Sequence, residues 1–282
     1  MDLTRSRQHL RATWQSVVDW TGERRLLLVL TPLILLFLFF LVIPIVSLFL
    51  RITPEAFFES LANPVVIDAL VLSLGTATVS TCIVILMGTP LSYLNARATY
   101  RGKEIVDTLV DLPIVMPPAV AGIALLMAFG RRGVIGRYLD MWGVQVAFTT
   151  FAVILAQVFV ASPFFIRQAR ASFEAVDRTY EDAARTLGAG RLRVFFRVTV
   201  PLAWAGLVSG AILTFARALG EFGATIMFAG NFQGRTQTMP LAIYTTMQGD
   251  LNDAISLAII LVIISFAVIL LVKYITRRTF RC

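Results

Sequence analysis

The sequence has few of the side chains on which catalysis and metal binding usually depend. Its one histidine, His9, lies near the start of the chain, so no Ser-His-Asp or Cys-His constellation can be built within the apolar segments. Its two cysteines, Cys82 and Cys282, have no spacing typical of a disulfide framework or a zinc site. Clusters of His, Asp and Glu ligands are also missing. These absences argue against a hydrolase, a metalloenzyme and a disulfide-stabilised domain.

The chain also lacks a phosphate-binding loop. The pattern Gly-x-x-x-x-Gly-Lys-Ser/Thr is absent, and neither of the two lysines, Lys103 and Lys273, lies in such a setting. We therefore expect that this chain is not an enzyme, binds no cofactor or metal of its own, and does not hydrolyse ATP.

Apolar residues, by contrast, are abundant: 57% of the 282 residues are hydrophobic and only 15% are charged. This composition is far from that of an average soluble domain. A helix needs about 20 residues to cross a bilayer. Six apolar runs of suitable length predict an all-α polytopic membrane protein with six transmembrane helices. These runs are residues 26–50, 65–94, 113–129, 146–166, 202–228 and 254–274.

The formal net charge of +8 is explained by membrane topology. If the N-terminus is cytosolic, 19 of the 25 Lys and Arg residues fall in cytosolic segments and five outside, with Arg217 inside a span. The positive-inside rule then places both termini in the cytosol. Arg131, Arg132, Arg137 and Arg235 lie outside, where they suit either steering of anions or contact with an acidic protein. No basic patch is left to indicate nucleic-acid binding.

Residues 1–25 are predicted to form a cytosolic arm, and residues 26–52 an uncleaved first span that is too long for a signal peptide. The sequence of the arm is compatible with two structures. One is a helix on the membrane surface with Arg7 and Arg11 near lipid phosphates, and the other is a disordered tail. Residues 60–276 are predicted to form the core, with a cytosolic loop at 168–200, and residues 277–282 a cytosolic tail.

The cytosolic loop contains a locally specified short helix. Thr179 and Asp182 have the spacing of a capping box, Glu181 and Arg185 can pair at i,i+4, and Gly188 is placed to end the helix. By itself this pattern also fits an ordinary amphipathic connector.

The third and fifth spans carry unusual residues. Pro117 and Pro118 follow Pro113 and predict a kink, either as a simple bend or in a helix that moves. Arg217 and Glu221 should not face lipid, because a charge near the bilayer centre is costly. Their i,i+4 spacing predicts an ion pair on one face of the helix. Such a pair is compatible with a role in helix packing and with a role in lining a water-filled path. We predict that Arg217, Glu221 and Thr225 line this path.

The cytosolic loop resembles the Glu-x-Ala-Ala loop of ABC-transporter permeases, which couples them to their ATP-binding subunits. Val198 and Val200 replace the Ile and Leu of that pattern but keep its apolar character. The matching residues, to which the resemblance assigns the coupling role, are Glu181, Ala183, Ala184, Gly188 and Pro201.

Two further segments narrow the resemblance. Residues 112–118 look like the Leu-Pro-x-x-x-Pro-Pro segment of oxyanion permeases, and residues 220–244 resemble the molybdate importer family, with sulfate and tungstate permeases as relatives. The resemblance implies the type I permease fold of ABC importers in a prokaryotic inner membrane, working with a second copy of itself. It also implies ATP-binding subunits that hold ATP and Mg, and an extracytosolic oxyanion-binding protein. The alternative, a secondary transporter, would need coupled carboxylates and inverted repeats, and Glu221 is the one clear deep acid.

Overall fold

The computed structural model describes residues 28, 30–249 and 251–279, so the predicted arm at 1–25 and the last three residues of the tail lie outside it. The chain divides into two compact units between Thr53 and Pro54. In the described part of the first unit, helix α1 (Leu30–Arg51) is long and apolar enough to cross a membrane.

The second unit is helical throughout its described elements. Three of them are long: α3 (Pro64–Arg97), α7 (Thr150–Ala175) and α13 (Leu251–Thr279). A fourth long segment joins α9 (Arg191–Val194), a π-helical turn at Phe195–Thr199 and α10 (Val200–Leu219). The shorter helices are α2 (Pro54–Leu61), α4 (Lys103–Val115), α5 (Pro118–Phe129), α6 (Gly136–Met141), α8 (Arg178–Thr186), α11 (Gly223–Ala229) and α12 (Met239–Thr246).

Local sequence explains where two of the long helices begin. The Asn63 side chain accepts a hydrogen bond from the Val65 amide, and Pro64 occupies the first turn of α3, where its missing N–H is not needed. Thr149 caps α7 in the same way through the Ala152 amide. Five helices among the described residues are long and apolar enough to cross a membrane, and the bent pair of α4 and α5, taken as one span, is the sixth. The predicted all-α fold with six spans is confirmed.

Three spans differ from their predicted form. The third is two helices at 117° to each other, and α4 begins ten residues before the predicted span. The fourth continues to Ala175, because its charged last turns are paired with one another and with α4. The fifth ends at Leu219, and α11 starts only at Gly223. Hydropathy gives no sign of this break, since both sides of it are apolar.

Helix α7 is the centre of the second unit. It packs along α3 and α10 and also contacts α5 and α11. Its buried face carries small residues, among them Ala152, Ala156, Ala161 and Ala169, which let neighbouring helices come close. Large apolar side chains on the outer faces are exposed, as expected of helices that face lipid tails.

Candidate functional sites: helix α8 and the paired helix breaks

Helix α8, in the predicted cytosolic loop, is capped at both ends. Asp177 accepts hydrogen bonds from the amide and the hydroxyl of Thr179, at 2.9 and 2.8 Å, and these bonds hold the pKa of Asp177 below its ordinary value. The predicted capping box of Thr179 and Asp182 is therefore wrong, because the cap lies two residues earlier. At the other end Gly188 adopts a left-handed conformation with φ +82°, and the Ala189 amide bonds back to the Ala184 carbonyl. This is a Schellman ending, as the glycine predicted.

Glu181 faces inward from α8 and is held by two distant parts of the chain. One of its oxygens accepts hydrogen bonds from Arg97 at the end of α3, at 2.8 and 3.1 Å, and from the Thr199 hydroxyl at 2.9 Å. Arg97 also donates to the Val176 carbonyl. The predicted partner Arg185 is present but farther away, at 3.7 Å from the other oxygen. With a side chain only 3% exposed, Glu181 anchors α8 and does not form part of its outer surface.

The outer face of α8 has no such side-chain bonds to other elements among the described residues of the second unit. Tyr180, Ala183 and Leu187 are exposed, Leu187 to 87%, and Ala184 is half-buried. Pro201 is also exposed and lies in the first turn of α10, just after the π-helical turn. The structure thus places the sequence-predicted Ala183 on an apolar outer face, while Glu181 holds that face in position.

The breaks in the third and fifth spans lie against each other. A Cβ atom added at Gly223 would stand 2.5 Å from the Cβ of Pro118, and one added at Gly122 would stand 2.6 Å from the Cβ of Met227. Only glycine permits this approach of α5 to α11. Non-helical backbone at membrane depth is tolerated where protein or a cavity surrounds it. The two interruptions therefore form one site.

The predicted pair of Arg217 and Glu221 forms at this site. Arg217 Nη1 lies 2.7 Å from Glu221 Oε2, and the other oxygen, Oε1, accepts a hydrogen bond of 2.8 Å from the Ala224 amide. Glu221 thus satisfies an otherwise unpaired donor in the first turn of α11 while it neutralises the arginine. Its side chain is 2% exposed, whereas that of Arg217 is 29% exposed.

Arg217 borders a cavity of about 120 Å³. The walls come from both sides of the bend between α4 and α5 and from α7. Apart from Arg217, they are apolar: Pro113, Ile114, Met116, Pro118, Ala121, Val160 and Phe164.

The third predicted path residue, Thr225, is fully buried in α11, and its hydroxyl has no hydrogen-bond partner among the described residues. It does not border the Arg217 cavity. Its assignment to a path stays a prediction.

Ion pairs attach α4 to α7. Arg167 binds Asp111 with two hydrogen bonds of 2.7 and 2.8 Å, and Arg170 lies 2.7 Å from Asp107. Asn95 of α3 donates to the same Asp107. The first half of the bent pair is therefore fastened to α7 and α3, while the second half is in close contact with α11. In the sequence Arg167 and Arg170 are only two of the cations in the predicted cytosolic segments, because contacts between distant segments leave no local signal.

A second pocket, of about 380 Å³, lies near the predicted extracytosolic ends of α5 and α11. Phe148 beside it has φ +62°, an unusual conformation for a bulky residue, and its ring meets that of Phe232 edge-on. The polar side chains that line this pocket are those of Arg131, Asp140, Gln145 and Arg235.

The described residues thus supply five long apolar helices and one bent pair, with the capped polar helix α8 between the fourth and fifth spans. Residues 88–281 match the family described as "Binding-protein-dependent transport system inner membrane component", and the chain belongs to this family. The molybdenum transport system permease protein ModB of Mycobacterium tuberculosis is 43% identical over 231 residues, covering 82% of this chain and 88% of that protein. ModB of Escherichia coli K12 is 41% identical over 213 residues, covering 74% and 93%.

Solved structures agree with this fold. A chain of a bacterial ABC transporter involved in the import of the acidic polysaccharide alginate superposes with a TM-score of 0.71. The match covers 95% of this chain and 99% of that one at 18% identity, so the likeness concerns the fold alone.

Proposed function

We propose that this chain is the membrane-spanning subunit of an ATP-driven importer that carries molybdate. The observation that supports this proposal most strongly is the identity of about 40% to molybdenum permeases over most of the chain. Sulfate and tungstate are related tetrahedral oxyanions, so the experiment below includes them.

The exposed face of α8 is the proposed docking surface for an ATP-binding subunit. The exposed apolar side chains of Tyr180 and Leu187, with the small Ala183 and Ala184 between them, allow close approach to a shallow groove. Glu181 transmits the contact, because its buried bonds tie α8 to the end of α3 through Arg97 and to the π-helical turn through Thr199. Gly188 and Pro201 set the two ends of the connecting segment. A push on α8 would reach both long helices through these buried side-chain bonds.

The other components follow from the same proposal. ATP and Mg are held by the partner subunits, since this chain offers no phosphate-binding loop. A second copy of this chain lines the path from the other side, related by a twofold axis. An extracytosolic protein delivers the anion, and the pocket beside Arg131 and Arg235 supplies cationic groups for its acidic side chains. Both termini of the chain are cytosolic.

Deletion of the gene tests the substrate. Cells without this chain should accumulate less molybdenum at nanomolar to low micromolar external molybdate, a range on the order of tight-binding dissociation constants. Their growth on sulfate as the sulfur source should not change. Reintroducing the unaltered gene should restore molybdenum, and an ATP-binding subunit should co-purify with the reintroduced chain.

The other outcomes contradict parts of the proposal. A sulfate requirement with normal molybdenum would assign the chain to sulfate transport, and a dependence on tungsten alone to tungstate transport. Uptake that follows an ion gradient in the absence of any co-purifying ATPase would indicate a secondary transporter.

A further inference from the structure

The cavity at the two helix breaks combines one accessible guanidinium with apolar walls. We propose that it is a resting site of low affinity for a tetrahedral oxyanion in transit, and that Glu221 is a fixed competitor of the anion for Arg217. This inference rests on the proposed function for its substrate class and adds a binding site within the permease.

Arg217 has bonding capacity to spare. A guanidinium carries five N–H groups in a planar fork that suits oxyanions. In the described part of the chain the ionic partner of Arg217 is Glu221, which lies 2.7 Å from one terminal nitrogen. The remaining N–H groups belong to a side chain that is 29% exposed and borders the cavity.

The cavity has the size and polarity of a transit site. Its volume of about 120 Å³ has room for several water molecules or for one small polyatomic anion. Apolar walls such as Ile114 and Phe164 keep the local dielectric low, which strengthens attraction to the guanidinium. No second cation borders the cavity among the residues described as its lining. One cation already shared with a carboxylate binds a dianion weakly, and a path needs sites that ions can leave.

Glu221 is fixed in position while Arg217 is not. The Ala224 amide bonds to Glu221 Oε1 and holds the carboxylate at the start of α11. The guanidinium stands on a long flexible side chain, and its remaining N–H groups can reach an anion in the cavity while Nη1 stays beside the carboxylate. When the anion leaves, the ion pair with Glu221 is still in place, so release leaves no buried unpaired charge.

The walls of the cavity suggest when release occurs. Ile114 lies before the bend of the third span and Pro118 after it, so any change in the angle between α4 and α5 changes the volume around Arg217. Pro118 also touches the backbone region of Gly223, which couples that change to α11. Closing the bend would expel the anion, and opening it would admit one.

Retention of radiolabelled molybdate by the purified complex in lipid nanodiscs, without the binding protein, tests this site. Glu221→Gln removes the competing charge but keeps an oxygen for the Ala224 amide. Removing a carboxylate at ion-pair distance should raise the affinity for the anion by about tenfold. Arg217→Met combined with Glu221→Gln removes the cation as well and should abolish retention. Arg217→Lys should keep a part of it.

A binding site is distinguished from a packing contact by opposite changes in molybdate retention: a rise in Glu221→Gln and a loss in the double variant Arg217→Met with Glu221→Gln. If Arg217 and Glu221 only stabilise helix packing, Glu221→Gln should reduce retention or leave it unchanged, and either result overturns the inference. Absence of retention in both the unaltered complex and Glu221→Gln also overturns it. Arg101→Met, a change of an exposed arginine in a cytosolic loop, serves as the matched control and should have no effect.

The proposed function is tested separately by uptake into proteoliposomes that contain the unaltered complex and its binding protein. If these vesicles accumulate tungstate or sulfate but not molybdate, the substrate assignment is wrong. The retention experiment is then repeated with the transported anion, and its result tests the site at Arg217. ATP hydrolysis by each variant complex shows that it is assembled.

Discussion

Replacing Arg97 by methionine tests whether a buried ion pair positions helix α8. Methionine has a similar length and no charge, so the change removes both hydrogen bonds to Glu181 and the one to the Val176 carbonyl. Glu181 then keeps the Thr199 hydroxyl and the more distant Arg185. The carboxylate must turn toward water, and α8 must move with it.

The size of the effect follows from burial. Removing one partner of a buried ion pair costs about 3–5 kcal/mol, and the lower end applies here because Glu181 retains one hydrogen bond. The double change Arg97→Met with Glu181→Gln leaves no buried charge and should cost about 1 kcal/mol, the value of a lost neutral hydrogen bond. The coupling energy is the cost of the double variant minus the costs of both single variants, so its magnitude is about 2 kcal/mol plus the cost of Glu181→Gln alone.

Hydrogen exchange in α8, measured by mass spectrometry on the complex in nanodiscs, reports this local opening. A loss of about 3 kcal/mol should speed exchange of the α8 amides by roughly 100-fold, while α7 stays protected. The double variant should exchange more slowly than Arg97→Met alone. Arg185→Met is the control, because it removes an arginine near the same carboxylate from a half-exposed position and should cost no more than about 1 kcal/mol. Equal effects of the two arginines, or additive effects in the double variant, would refute the reasoning.

Four other expectations follow. Gly188→Val should leave membrane insertion intact but reduce ATP-coupled uptake, because open space surrounds the position and the strain is in its left-handed backbone alone; normal uptake at normal expression would contradict this. Reporters near Gly234 should be extracytosolic and reporters at the C-terminus cytosolic, and the reverse would refute the topology. Since the pKa of Asp177 is lowered, its contribution to the cap of α8 should persist through mildly acidic pH and disappear only as pH falls through that lowered value, as circular dichroism of the purified chain can follow. Glu221→Ala should lower the stability of the complex by about 1–3 kcal/mol relative to Glu221→Gln, because only alanine leaves the Ala224 amide unpaired. Equal melting temperatures of the two variants would contradict this.

The features of this fold that the sequence predicts are those with local causes. Apolar runs of sufficient length specify the spans, because a bilayer accepts few other structures. Gly188 ends α8 as expected, since a left-handed residue at a helix end is a local requirement. Arg217 and Glu221 pair because they are one helical turn apart.

The features that the sequence does not reveal depend on distant contacts. Arg97 and Glu181 are 84 residues apart, and in the sequence each has a simpler interpretation, as a topological cation and as a partner of Arg185. The break at Gly220–Phe222 is hidden for a different reason: glycine, glutamate and phenylalanine are all compatible with a membrane helix. The break is required by a contact between distant segments: α11 approaches Pro118 so closely that a Cβ atom at Gly223 has no room.

Helix α10 connects the site around Glu181 with the site around Glu221. It is 20 residues long, so it spans about 30 Å. At its start, the buried Thr199 of the π-helical turn donates to Glu181, and near its end Arg217 pairs with Glu221. A π-helical turn contains one residue more than an α-helical turn and is a frequent place for adjustment within a helix. The carboxylates of Glu181 and Glu221 are both buried, and each is also held by a second bond, from Arg97 and from the Ala224 amide. If α8 docks an ATP-binding subunit as proposed, a shift of α8 would therefore be passed along α10 toward the cavity at Arg217.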